Sequence, residues 1–463
     1  MFPNPQSALP LPPRPSLERY RKIAKDLVKV CRAVPSAEAD AASREEQGAV
    51  FEAWAQDWIE DLIRLCGLRI EPGLPVRVES WITGVAGFAQ HKLANHGPRS
   101  CALADAQFVI ARSHGFESWP KFVRCLEALE QSASGDTRFE AAADAIVGGD
   151  AADLMRLVRE NAGLVWARSA REHGATLLHY AAANGVEGYR QRTPKNIAEI
   201  ARMLLDAGAE VDATMQVYGG AHTTLGLAAT SANPERAGVM EELLRTLLEY
   251  GAKIGDSLVL ACLNNGRAGA AEFIASRVAR LSLPEAAGVG QLDRVEAYFA
   301  SDGSQQAGVS EEQRQQAFLL ASAFGRDAVV TFLLRQSPNS EDLIRSSDRD
   351  GHTALHRAVI GGHPGTVRLL LEWNAPLEGE NRYGGTPLGQ ALWSAAHGGD
   401  ADVYVAILEA LTAAGAKLPE RHVPVNARVN AWLEAWLEQR GSKAEPEWHW
   451  YGEAPLRQRR GES

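Results

Sequence analysis

The sequence predicts an all-α fold: a helical solenoid with short turns and hairpins, preceded by a small helical domain. Three observations predict it. Thr353-Ala354-Leu355-His356 returns 33 residues later as Thr386-Pro387-Leu388-Gly389. Each copy is followed by a leucine-rich stretch with helical spacing. The chain of 463 residues, 45% hydrophobic and 7% aromatic, is too long for one ordinary core, whereas in an array each unit need only cover its neighbours.

Within one unit, Asp350-Gly351 supplies a tight turn, and Thr353 stands where its hydroxyl caps the first free N–H groups of a helix. Pro387 takes the first helical position in the second copy, where proline is tolerated. Leu355, Ala358 and Val359 form a narrow apolar face, and Gly361-Gly362 ends this helix. Val367, Leu369, Leu370 and Leu371 make a second helix that needs covering on more than one side. Such a unit cannot bury its apolar faces alone, so neighbours must stack on it.

On these residues the unit resembles an ankyrin repeat, whose pattern is a glycine turn, T-P-L-H, A-A, an inter-helix glycine, a leucine-rich second helix and G-A. Gly174-Ala175-Thr176-Leu177-Leu178-His179 with Gly208-Ala209 is a second clear copy, and Thr223-Thr224-Leu225 with Gly251-Ala252 a third. Weaker copies centre on Gly149, Gly266, Gly290 and Gly325, giving about eight units over 136–420, several of them degenerate. From its threonine, the unit at Thr353 takes 21 residues to reach Asn374, which stands in for the closing glycine; those at Thr176, Thr223 and Thr386 take 32, 28 and 29. The extra residues, around Val186–Asn196, Ala232–Val239 and Ala395–Asp402, are expected where the two helices join, either as recognition loops or as tolerated surface decoration.

Ahead of the array, residues 1–15 are proline-rich and read as a disordered tail, in which Pro10, Pro13 and Arg14 also fit a polyproline ligand. Residues 16–131 read as the helical domain. Leu17, Tyr20, Ile23, Ala24, Leu27, Val28 and Cys31 share one helical face. Ser43 and Glu46 suggest a capping box before the next helix, and further helices are expected at about 78–95, 102–114 and 118–130. Trp54, Trp58, Trp81 and Trp119 are expected in its core rather than in a binding cage. Leu103–Leu129 and Leu17–Lys29 resemble segments that precede the repeats in a group of bacterial ankyrin proteins, through Asp105-Ala106-Gln107, Ala111-Arg112, Gly115-Phe116 and Ser118-Trp119. This hairpin offers mainly Lys121 and Arg124 on its second helix, too few polar side chains for a DNA reader, so a cap or docking module is expected. Ser132–Gly135 reads as the linker, 421–441 as a capping helix and 442–463 as a flexible tail. Trp448, Trp450 and Tyr451 beside Arg457, Arg459 and Arg460 could fold that tail back or hold a partner.

Residues 136–420 carry 25 Lys+Arg against 36 Asp+Glu. An acidic array repels a phosphate backbone, which argues against nucleic acid and weakly for a basic protein partner. Five scattered cysteines without a CxxC pair argue against a disulfide framework and for a reducing compartment. No apolar run nears the roughly 20 residues that cross a bilayer. A cytoplasmic, monomeric protein is the expectation.

Catalytic readings are weaker. Gly255-Asp256-Ser257-Leu258 spells the nucleophile block of a GDSL esterase family, but that family takes its base from a DxxH block, and no histidine here has aspartate three residues before it. His352 and His356 have metal-compatible spacing, yet His356 and His179 occupy the T-P-L-H position, whose histidine the resemblance assigns to hydrogen bonds between repeats. No phosphate-binding loop, cofactor or metal site is expected. The expected function is therefore non-enzymatic: a scaffold holding a protein partner on the concave face of the array. By the family's geometry the contact residues are Arg171, Glu172, His173 and Asn184; Tyr218 and His222; Arg349, Asp350, His352 and Ile360; Arg382, Tyr383 and Trp393. The alternatives are an esterase built on Ser257, or an activity of the N-terminal domain that the array merely targets.

Overall fold

The computed structural model describes residues 4–12, 15–33, 41–67, 74–93, 101–130, 135–299, 309–337, 339–418 and 426–439. They divide into two compact units, Met1–Leu258 and Val259–Ser463. Among the described residues the only strands are one short antiparallel pair. The linker residues 132–134 and the tail 442–463 lie outside the described residues.

The first unit opens with five helices: α1 (Leu17–Ala33), α2 (Ala41–Cys66), α3 (Leu74–Leu93), α4 (Leu103–Ser113) and α5 (Trp119–Glu130). One apolar cluster joins them, containing Tyr20, Phe51, Trp54, Trp58, Trp81, Ile110 and Phe122, with Trp119 packed against its edge. The α2 helix begins at Ala41, two residues before Ser43, so Ser43 is not its cap. Two further expectations are corrected. Cys31 and Cys101 are joined as a disulfide between the end of α1 and the start of α4, because packing of these helices meets two cysteines 70 residues apart, a pairing that spacing does not announce. Residues 4–12 are not a free tail: Ala8 and Leu9 are fully buried, and Leu9 belongs to the apolar cluster.

Three helix pairs follow in this unit: α6 (Gly135–Gly148) with α7 (Ala151–Glu160), α8 (Leu177–Tyr180) with α9 (Ile197–Asp206), and α10 (Thr224–Thr230) with α12 (Met240–Glu249), the short α11 (Ala232–Arg236) lying between the last two. First helices pack on first helices, α6 on α8 and α8 on α10, and α9 packs on α12. Strands β1 (Thr214–Val217) and β2 (Gly220–Thr223) form a hairpin ahead of α10 with Val217 opposite Gly220. Its two turn residues, Tyr218 and Gly219, have φ of 54° and 81°, the signs a two-residue type I′ turn needs.

Helix α13 (Leu258–Asn264) starts at the boundary of the two units. The second unit continues with α14 (Ala268–Ala275), α15 (Leu283–Gly288), α16 (Leu292–Glu296), α17 (Glu311–Ala323), α18 (Asp327–Gln336), α19 (Ser340–Arg345), α20 (Ala354–Ile360), α21 (Pro364–Glu372), α22 (Pro387–Ala396), α23 (Ala401–Ala413) and α24 (Ala427–Gln439). Helices α15, α17, α20 and α22 form one layer, and α18, α21 and α23 the other, with α24 laid on α23. Each of Gly149, Gly266, Gly290 and Gly325 sits with positive φ between two consecutive helices, so the degenerate copies keep the left-handed turn that their sequences blur. The closing position is left-handed too: φ is 93° at Gly208, 85° at Gly251, 99° at Gly415 and 59° at Asn374, the substitution an asparagine tolerates.

The three long repeats do not put out free loops. In the first, Val186, Glu187 and Arg190 are buried and Gly188–Arg190 forms a 3-10 turn. In the second, α11 packs back on the preceding repeat, where Asn233 Nδ2 donates to the Ala183 carbonyl at 2.9 Å. In the third, the extra residues lengthen the helices themselves, α22 to 10 and α23 to 13 residues.

Candidate partner-binding surfaces

In the second unit the repeat tips are fixed by their threonine caps. Thr353 Oγ1 accepts the His356 N–H, and the Thr353 N–H donates to His356 Nδ1 at 3.3 Å. That leaves the proton on Nε2, which donates to the Gly385 carbonyl of the next repeat at 3.0 Å. Both ring nitrogens of His356 are thus occupied by the fold, and it cannot pair with His352 around a metal. Among the described residues no cluster of three metal-binding side chains occurs. In the first unit His179 holds the Thr176 N–H in the same way, at 3.1 Å.

The tips so positioned carry exposed groups. Arg382 donates to Asp350 Oδ1 at 2.6 Å, its N–H donates to the Asp350 carbonyl at 2.8 Å, and its guanidinium lies 4.8 Å from the centre of the Tyr383 ring. Tyr383 is 69% exposed. On α22 the Trp393 ring is 52% exposed and stacks on His397, with centroids 4.1 Å apart and planes 18° from parallel. Ile360 and Arg349 are exposed, and Asp350 and His352 half-buried. Burial would raise the Asp348 carboxyl, but the His352 N–H, the Arg357 guanidinium and the Asp350 N–H outweigh it and hold it below its ordinary range. Of the seven residues expected here, Arg349, Ile360, Arg382, Tyr383 and Trp393 are exposed on the tips and first helices, Asp350 is half-buried and held by Arg382, and the His352 side chain is largely covered.

The first unit departs from expectation. Arg171 and His173 are interior residues, 3% and 2% exposed, and are corrected as partner contacts. Arg171 lies between Glu187 and Glu140, 3.0 Å from Glu140 Oε2. Arg190 reaches Glu140 at 2.8 Å and Asp144 at 2.7 Å, and His173 Nε2 lies 3.3 Å from Glu187. Burial alone would push the Glu187 carboxyl up; Arg171, His173 and Arg190 reverse this and hold it well below the usual carboxylate range. Arg171 also donates to the His114 carbonyl at 3.1 Å, so one buried network ties α4, α6 and the long second repeat together. In sequence, Glu140, Glu187 and Arg190 are indistinguishable from solvated charges, and nothing there marks them.

Of the others, Glu172 is half-exposed and pairs with Arg112. Asn184 is half-buried: Tyr218, 58% exposed at the β1–β2 turn, donates its hydroxyl to Asn184 Oδ1 at 2.7 Å, and His222 sets its ring edge-on to Tyr218 at 6.0 Å. Trp166, 59% exposed with Nε1 donating to the Gly208 carbonyl at 2.8 Å, was not expected at the surface, since no apolar periodicity surrounds it. Ser257 is exposed in the turn before α13, with no histidine hydrogen-bonded to it among the described residues.

The family descriptions "Ankyrin repeats (3 copies)" and "Ankyrin repeat" match residues 285–381 with 318–418, and residues 173–216. The chain is similar to the Notch-regulated ankyrin repeat-containing protein of Homo sapiens, 33% identical over 99 residues, covering 21% of this chain and 83% of that protein. It is similar to protein B of that name from Danio rerio, 33% identical over 103 residues, covering 22% and 89%. No helix among the described residues is long and apolar enough to cross a membrane.

Proposed function

Because the chain belongs to the ankyrin-repeat family, we propose that it is a non-enzymatic interaction scaffold whose second unit grips a protein partner through its repeat tips. The observation that carries this reading is the exposed set of Arg382, Tyr383, Trp393 and Ile360 on residues fixed from behind by the threonine and histidine bonds. Rigidly mounted aromatic and arginine side chains are the residues that dominate binding energies. The acidic balance of 136–420 favours a basic partner, held by one copy of the chain on the concave face of the array. We place the protein in the cytoplasm, on the scattered cysteines and the absence of any CxxC pair in the sequence; the Cys31–Cys101 disulfide stands against that placement.

The test is Tyr383→Ala combined with Trp393→Ala. Capture of the partner should weaken at least tenfold with helicity unchanged, and unaltered capture moves the site elsewhere. Ester cleavage by purified protein that Ser257→Ala abolishes would contradict the non-enzymatic reading.

A further inference from the structure

The face of the first unit expected to meet a partner is already crossed by the chain's own N-terminal segment. Gln6 Nε2 donates to the Tyr218 hydroxyl, and the 3-10 turn Pro5–Ser7 packs on the turn Gly188–Arg190. Leu9 anchors the segment: its N–H donates to the Ser113 carbonyl at 2.7 Å, its carbonyl accepts from His114 Nδ1 at 3.2 Å, and its side chain is fully buried. Two glycines floor the track. A Cβ on Gly188 would stand 2.5 Å from the Gln6 carbonyl oxygen, and one on Gly115 3.2 Å from Ala8 Cβ. Asn4 and Ala8, with Arg112, Gly115, Arg171, Glu172 and His173, leave a space of about 10 Å³, too small to take any further ligand.

Residues 4–12, NPQSALPLP, carry no charge, and what the track holds of them is a main chain, one glutamine amide and the buried side chains of Ala8, Leu9 and Pro10. Main-chain pairing plus spaced side-chain pockets is a mode of peptide recognition. We propose that this track is a groove for an uncharged extended peptide of the form Gln-x-Ala-Leu-Pro, which residues 4–12 fill as an exchangeable strap. A partner segment of that chemistry reaches the first unit only by displacing it. The proposal rests on the binding reading above and names the ligand class of the first unit. A tethered segment competes at an effective concentration on the order of millimolar, so the intact strap masks the groove.

The experiment uses the full chain carrying Gln6→Ala with Leu9→Ala, which weakens the strap and leaves the groove intact. The peptide NPQSALPLP, at about 1 mM, should raise the melting temperature of this variant saturably by about 3 °C. It should leave the wild type unmoved, and adding Gly188→Val should abolish the rescue. No rescue of a folded variant, an equal response from the wild type, or rescue that survives Gly188→Val overturns the proposal. Amide exchange on the wild type decides independently of how the variant folds. The Leu9 N–H should exchange at least about 100-fold faster than that of Ile110, because the strap opens without global unfolding, and equal rates overturn it. These arms do not involve Tyr383 or Trp393, so failure here and failure of the second-unit site are separate results.

Discussion

Replacing Glu187 by glutamine is the sharpest test of how the first unit is held together. The carboxylate is fully buried and lies between Arg171 and Arg190, with the Tyr180 hydroxyl donating to it at 3.4 Å and His173 at 3.3 Å. Glutamine keeps the volume but removes the charge. Two interior guanidinium groups are then left with Glu140 as their only other well-shielded counter-charge, since Asp144 is 62% exposed. Breaking a buried pair in this way costs about 3–5 kcal/mol. For a unit of this size that is a fall of roughly 6–20 °C in melting temperature. Glu172→Gln is the matched control, because its half-exposed pair with Arg112 is worth at most about 1 kcal/mol. Urea unfolding followed by circular dichroism measures both. A loss below about 1 kcal/mol for Glu187→Gln, or equal losses for the two variants, would refute the claim that this network clamps the long repeat to α4 and α6.

Other perturbations test separate contacts. Burial lowers His114 to a pKa of about 3 and His179 to about 4, so the unfolded chain binds protons that the folded chain refuses below pH 6.5. Stability should therefore be fully present above that pH and fall as pH drops towards 4, and a melting temperature flat across this window contradicts it. A Cβ on Gly361 would stand 2.2 Å from the Ala323 carbonyl oxygen, so Gly361→Ala should cost about 1–3 kcal/mol in chemical unfolding. Gly269→Ala, with nothing within 4 Å of its Cβ, should be neutral or slightly stabilising. Reductant, or Cys31→Ser, should lower the stability of the first unit by up to about 4 kcal/mol for a loop closed over 70 residues. Insensitivity to reductant would contradict the pairing.

The array was legible because its signals are backbone requirements. A residue that must adopt positive φ has few identities open to it, so Gly208, Gly251, Asn374 and Gly415 mark the same place in four repeats, and Thr176, Thr223, Thr353 and Thr386 mark the caps. The exposed part of the candidate surface in the second unit followed from that register. What the sequence hid depends on tertiary partners. Arg171 occupies a tip position yet turns inward, because Glu140 and Glu187 from distant segments neutralise it there. The insertion after Val186 folds inward for the same reason, whereas its Arg190 reads as surface charge. Residues 4–12 have neither helical nor strand periodicity, and only the apolar cluster of the five N-terminal helices gives Leu9 a place to go.

The central claim, that the repeat tips of the second unit grip a protein, is tested most directly by placing a photo-crosslinking amino acid at position 383 or 393, with Val76, exposed on α3, as the control position. The account predicts that both tip positions capture one and the same protein, that the control does not, and that the purified partner binds Tyr383→Ala/Trp393→Ala at least about tenfold more weakly, a loss of roughly 1.4 kcal/mol or more. Capture of that protein from the control position alone, or undiminished affinity for the double variant, contradicts it.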